Sequence, residues 1–141
     1  VVLVKQDCFA DLGMEEKGNY TPIFNTAFTD KNEFPFTDGW LMNADENLKC
    51  LDLPKAKAIT LNKVSDSELQ KQQFVQSFNA DIETMEGAAL HYVCLQEHIP
   101  FLQIRSISNH VGERDKTKWK IKEAIENLNK ELQILINDLT N

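Results

Sequence analysis

A glutamate set within an apolar stripe is the first residue of this chain whose position asks for chemistry. Met85, Ala89 and Val93 recur at i, i+4 and i+8, the spacing of one helix face, and at about 100° per residue Glu86 falls inside that stripe. Burying an unpaired charge costs several kcal/mol, so the carboxylate is expected either to be satisfied by donors within the fold or to enter a cavity and grip a ligand. Thr84 is the predicted N-cap, which puts Glu86 in the first turn, where the helix N-terminus stabilises an anion. Gly87-Ala88-Ala89 removes side-chain bulk beside it and allows a backbone or a ligand to come close. A buried salt bridge or a backbone cap would account for the same glutamate, and position alone leaves these readings open.

The second such residue is Asn109. It closes the run Ile107-Ser108-Asn109, where a strand is expected to end, and ligands of α/β proteins gather at the carboxyl ends of strands. Its side chain both donates and accepts, but an Asn in that place also serves ordinary turn chemistry. His110 follows with no Ser, Cys or carboxylate paired to it in sequence, so it carries no catalytic assignment.

Several elements must position these residues. Val1 to Val4 is a β-branched apolar run that reads as a strand buried on both faces and so expects neighbours. With no initiator methionine before it, that start is expected to be a cut, with the partner strands lost upstream. A long excursion runs on to Asn47, with Gly, Pro, Asn and Asp between isolated aromatics. Its Phe24, Phe28, Phe34, Phe36 and Trp40 either cap a sheet edge or meet a ligand or a second subunit. Lys57 to Val64 and Phe101 to Ser108 read as strands. Ser65-x-x-Glu68 has the form of a capping box and predicts a short helix through Phe74, and a further helix covers about Met85 to Glu97. Ile121, Ile125, Leu128, Leu132, Leu135 and Leu139 step by 4, 3, 4, 3 and 4, one stripe of a final helix expected to pack on the sheet. Strands alternating with helices give an α/β class.

Composition narrows the partners. The 141 residues suffice for one domain, and 15 basic against 22 acidic side chains, unclustered, give a net charge of −7. No basic stripe is present for a phosphate backbone, so nucleic acid is not an expected partner. The apolar runs fall far short of the roughly 20 residues that cross a bilayer, and no secretory signal opens the chain, so a cytoplasmic protein is expected. Cys8, Cys50 and Cys94 are odd in number and fit neither a zinc cluster nor a redox pair, so they read as reduced thiols.

Taken together, Thr84-Met85-Glu86-Gly87-Ala88-Ala89, Val93-Cys94, Ile99-Pro100-Phe101 and Ile104-Arg105-Ser106-Ile107-Ser108-Asn109 resemble the C-terminal signature of the nucleoside phosphorylase and nucleosidase superfamily. Phe9-Ala10-Asp11-Leu12-Gly13, Arg105 to Asn109 and Arg114-Asp115 lean toward futalosine hydrolases, relatives of the methylthioadenosine/adenosylhomocysteine nucleosidases. The resemblance spans the whole chain and is strongest from Asp81 to Leu132. It implies a three-layer α/β/α fold with a mixed sheet, of which this chain would be the C-terminal portion.

By the same resemblance, Glu86 holds the ribose 2′- and 3′-hydroxyls, Met85 packs on the sugar, Val64 walls the base and Asn109 stands next to purine N7. One carboxylate can accept from both hydroxyls while its charge favours an oxocarbenium-like centre. Adenine-specific members carry Asp where this chain has Asn109. An amide cannot deliver a proton outright, but it can hydrogen-bond N7 and a 6-oxo group, so hypoxanthine fits better than adenine.

The implied reaction is hydrolysis of futalosine to hypoxanthine and dehypoxanthine futalosine in menaquinone biosynthesis. No metal or organic cofactor is called for, and a homo-oligomer is expected. The carboxylate that activates water and a Gly-rich segment beside the ribose would lie before Val1, and the 141-residue piece alone is expected to be inactive. Alternatives within the fold are a methylthioadenosine/adenosylhomocysteine nucleosidase and a purine nucleoside phosphorylase. From another class comes a nucleoside-binding protein without catalysis.

Overall fold

A computed structural model describes residues 1–44, 51–64 and 67–140. Strand β1 (Val2–Asp7) lies at the centre of a six-stranded mixed sheet. Its neighbours are β5 (Trp40–Met42), β6 (Lys55–Thr60) and β8 (Ile104–Arg105). β6 runs parallel to it, whereas β5 and β8 run antiparallel along successive parts of its other edge. The sheet is completed by β4 (Phe36–Thr37) beyond β5 and by β7 (Ile82–Thr84), parallel to β6. The expectation that Val1 to Val4 must pair with strands from outside the chain is therefore corrected: β1 is paired on both edges by this chain's own strands.

Side chains of β1 and β6 alternate between the two sheet faces, and a helix covers each. Cys8 and Ile59 face a cluster with Ala10, Leu61 and Phe74, the last from α1 (Glu68–Phe78). Asp7 and Thr60 turn the other way, toward α2 (Gly87–Gln96), whose Ala88 N–H reaches the Thr60 hydroxyl at 2.8 Å. The mixed sheet with helices on both faces matches the expected α/β class.

Several boundaries moved. The predicted strand at Lys57 to Val64 ends at Thr60, and the one at Phe101 to Ser108 is confined to Ile104 and Arg105, with one further bond from Val4 N to Gln103 O. Ser65 lies outside the described residues; Ser67 is the N-cap of α1, its hydroxyl accepting from Gln70 N at 3.1 Å. Cys50 also lies outside them. The long excursion is organised into a hairpin of β2 (Gly13–Glu16) and β3 (Asn19–Pro22), a 3-10 turn at Ile23–Asn25, and the β4–β5 hairpin. Its aromatics divide: Phe24 packs on Phe36 and Phe36 on Tyr92, Trp40 joins Phe78, while Phe28 and Phe34 stay exposed.

The last helix, α3 (Ile121–Thr140), forms where its periodicity put it, but its stripe is covered only in part. Ala124 is buried and Leu128, Leu132 and Leu135 are half-buried, whereas Ile121 and Ile125 remain exposed. The side chain of Leu139 is outside the described set.

The larger correction concerns α2. Met85, Ala89 and Val93 are exposed, and the helix is buried through Gly87, Ala88 and His91. Apolar residues surround α2 on every side, so their spacing could not pick out the buried face. Glu86 accordingly is not buried: it is the N-cap of α2, with its side chain 72% exposed.

Candidate active site

A cleft of about 600 Å³ opens between β6, β7 and the segment 106–114. Leu61 and Met85, which directly follow β6 and β7, line it together with Val64, Phe74, Asn109, His110 and Trp119. Three residues singled out in the sequence, Val64, Met85 and Asn109, are thus brought to one cavity from three separate stretches of chain. Glu86 is not part of that lining. It follows Met85 at the start of α2, where its Oε2 meets Arg105 Nη2 at 3.4 Å.

Each member is held by local contacts. Asp11 receives the Asn62 backbone N–H at 2.6 Å and the Asn62 side-chain amide at 3.2 Å, fixing the chain as it leaves β6 toward Val64. Arg114 Nη2 then donates to the Val64 carbonyl at 3.3 Å. The neighbouring Asp115 caps a 3-10 turn, its Oδ1 accepting from the Thr117 N–H at 3.0 Å, which sets Trp119 on the cleft wall. These contacts give Asp11 and Arg114, conspicuous in the sequence, a part in shaping the cleft.

Asn109 is four residues past β8, in a turn and not at a strand end, because β8 stops at Arg105. Its Oδ1 accepts the Ser108 hydroxyl at 2.7 Å, and its Nδ2 donates to the His110 carbonyl at 3.0 Å. A carbonyl only accepts, so the amide orientation follows from chemistry, and one N–H of Asn109 remains to be given.

The start of α2 is satisfied by two hydroxyls. Thr84 Oγ1 accepts from Gly87 N at 3.2 Å and Thr60 Oγ1 from Ala88 N at 2.8 Å; the expected N-cap at Thr84 is thus corrected, since the N-cap position is Glu86 and Thr84, at the end of β7, serves the helix start only through its hydroxyl. Behind them lie three buried residues that the sequence reading missed, Asp7, His91 and Gln103. Their one sequence signal is Asp7, which closes the strand that the apolar run Val1 to Val4 opens. Among the described residues no cluster of His, Cys, Asp or Glu is arranged to hold a metal ion, and no helix is long and apolar enough to cross a membrane.

Comparison with known proteins agrees with this architecture. A futalosine hydrolase of Thermus thermophilus is 30% identical over 138 residues, covering 96% of this chain and 60% of that protein. A solved futalosine hydrolase mutant of Helicobacter pylori superposes with a TM-score of 0.68 at 19% identity, over 97% of this chain and 60% of its own, a likeness of fold. The chain thus spans about 60% of the length of these relatives. The family model described as the phosphorylase superfamily matches residues 3–140, from the second residue of β1 to the last of α3, and the chain belongs to that superfamily.

Proposed function

We propose that the protein carrying this chain hydrolyses the N-glycosidic bond of a purine nucleoside, with futalosine as substrate and hypoxanthine as the leaving base, in menaquinone biosynthesis. The observation that carries this reading is the convergence of Val64, Met85 and Asn109 on one cleft, with Glu86 next to it. Met85 and Val64 offer apolar surface for the sugar and the base. Glu86, open to solvent and flanked by Arg105, is free to accept from the ribose 2′- and 3′-hydroxyls.

In the proposed reaction the C1′–N9 bond stretches, positive charge spreads over the ribosyl ring, and Glu86 stabilises it more than it stabilises the neutral substrate. The free N–H of Asn109 supports the departing base. Water attacks C1′, giving its proton to a carboxylate from the part of the relatives that this chain does not span, as the C1′–N9 bond breaks; the base leaves as an anion hydrogen-bonded by Asn109 and takes a proton from solvent to become hypoxanthine. We place the protein in the cytoplasm as a homo-oligomer.

Incubating the whole protein with futalosine, with and without phosphate, tests the reading. Hypoxanthine release at the same rate in both is expected. Release that requires phosphate would make the protein a phosphorylase, and a nucleoside bound but left intact would make it a binding protein.

Asn109→Asp tests the base contact. An aspartic acid carries a single O–H, which must leave the His110 carbonyl for the base, but unlike the amide hydrogen it can be transferred outright. A proton donor in that place suits N7 of adenine, so the ratio of kcat/KM for adenine over hypoxanthine nucleosides is expected to rise by about tenfold or more. An unchanged ratio would show that Asn109 does not face the base.

A further inference from the structure

Beneath the amino end of α2 lies a group of polar side chains that the glycosidic chemistry does not touch. Asp7 is fully buried, and its Oδ1 accepts from the Cys8 N–H and the Thr60 hydroxyl, each at 2.9 Å. Its Oδ2 meets the Gln103 side-chain amide at 3.2 Å. The other end of that amide neighbours His91, which is also fully buried and whose Nδ1 lies 3.0 Å from the Leu41 carbonyl. Because a carbonyl can only accept, Nδ1 carries a hydrogen, and a neutral His91 then presents a lone pair at Nε2. With the Gln103 nitrogen turned to Asp7, His91 Nε2 and Gln103 Oε1 are both buried without a partner.

One added proton resolves the conflict. The oxygen and nitrogen of an amide are nearly interchangeable in shape, so Gln103 can be turned end for end. A neutral Asp7 then donates its O–H to Gln103 Oε1, and Gln103 Nε2 donates to His91 Nε2, so both of these atoms find partners; Arg105 Nε, also buried without a partner, is not touched by the change. The other way to place the proton makes His91 an imidazolium bridged by the amide to an Asp7 carboxylate. Burial decides between them, pushing Asp7 up and His91 down, because each charged form loses its hydration.

We propose that Asp7 is a neutral acid in the folded protein at neutral pH, joined through a turned Gln103 amide to neutral His91, and that this unit positions the start of α2 while leaving Arg105 to Glu86. Several groups face Asp7 from the elements around it. Cys8 stands next to it in the chain, with a thiol that burial drives upward and that Lys57 reaches. Arg105 comes from β8 and is the weakest of the influences on Asp7, and His91 comes from α2. β6 brings the Thr60 hydroxyl, with Lys57 further along the same strand acting on Cys8, and β7 brings the Thr84 hydroxyl, 2.9 Å from that of Thr60. A neutral Asp7 does not compete for the Arg105 guanidinium, which then orients Glu86 alone. That last link rests on the role proposed for Glu86; the protonation of Asp7 does not, and it is measured on the folded protein without substrate.

The test is carbon and nitrogen NMR at pH 7, with Asp7→Asn as the neutral isostere. Expected are an Asp7 carboxyl resonance in the protonated position and, in both proteins, a His91 with a hydrogen on Nδ1 and none on Nε2. An ionised Asp7, or a doubly protonated His91 that becomes neutral in Asp7→Asn, would overturn the proposal, and the wild-type resonances decide alone if the variant does not fold. Linkage gives a second readout. A native carboxyl raised above its unfolded value of about 3.9 binds more protons in the folded state, so its stabilisation is complete below that value and is lost as pH rises toward the native one. The wild-type folding constant should therefore fall by up to about tenfold per pH unit across that window, a slope that Asp7→Asn should lack. Parallel pH profiles of the two proteins would also overturn it.

Discussion

Glu86→Gln is expected to keep the fold and to lower nucleosidase turnover of the whole protein by roughly 10²-fold or more, the scale for removing a group aimed at a developing charge. The structure explains why the two effects separate. The Glu86 side chain is 72% exposed and its ion pair to Arg105, at 3.4 Å, is long, and exposed pairs of this kind contribute at most about 1 kcal/mol to folding. A glutamine of the same size can still accept from one ribose hydroxyl, so KM should change little. What it cannot supply is the negative charge that favours the ribosyl cation over the neutral nucleoside, and that loss appears in kcat. Circular dichroism and steady-state kinetics on futalosine together give the result. Wild-type kcat from a folded Glu86→Gln protein would remove this residue from the assignment.

Glu86 also shows how a residue can be legible in the sequence while its environment is not. The sequence drew attention to it as a charge on a buried face, yet that face is exposed, and the contacts that matter are its place at the amino end of α2 and Arg105 beside it. The helix is apolar nearly all round, so periodicity marked its existence and could not orient it. α3 is the contrary case: polar residues on its other faces leave a single apolar stripe, and its boundaries follow. β7 was hidden because a strand of three residues offers no alternation to read. The buried polar set was hidden for a different reason. Asp7 and Gln103 are 96 residues apart in the chain, and only the sheet pairing of β1 with β8 brings them into contact. Asn109 lines the cleft, but from a turn and not from the strand end that the sequence led one to expect.

Gly87→Ala is expected to be the most destabilising of the substitutions considered, by about 2–5 kcal/mol, the sum of ordinary overpacking and the loss of a buried hydrogen bond. Helix propensity alone argues the other way, since alanine is favoured over glycine by about 1 kcal/mol within a helix. Packing decides the sign. A Cβ on Gly87 would run into Asp7 Oδ2 and the end of the Gln103 amide that meets it, the two atoms through which that buried pair is bonded whichever way the amide is turned. Asp7 is held at its other oxygen by Thr60 and the Cys8 N–H, so it cannot withdraw without leaving a buried polar group unmatched. The end of α2 would have to lift instead, weakening the bonds from Gly87 N to Thr84 and from Ala88 N to Thr60 and displacing Glu86 with them. Urea denaturation measures the loss as a lower midpoint at unchanged slope. A Gly87→Ala protein as stable as wild type, or more stable, would mean that α2 does not rest against Asp7, and the positioning of Glu86 by that buried group would fall with it.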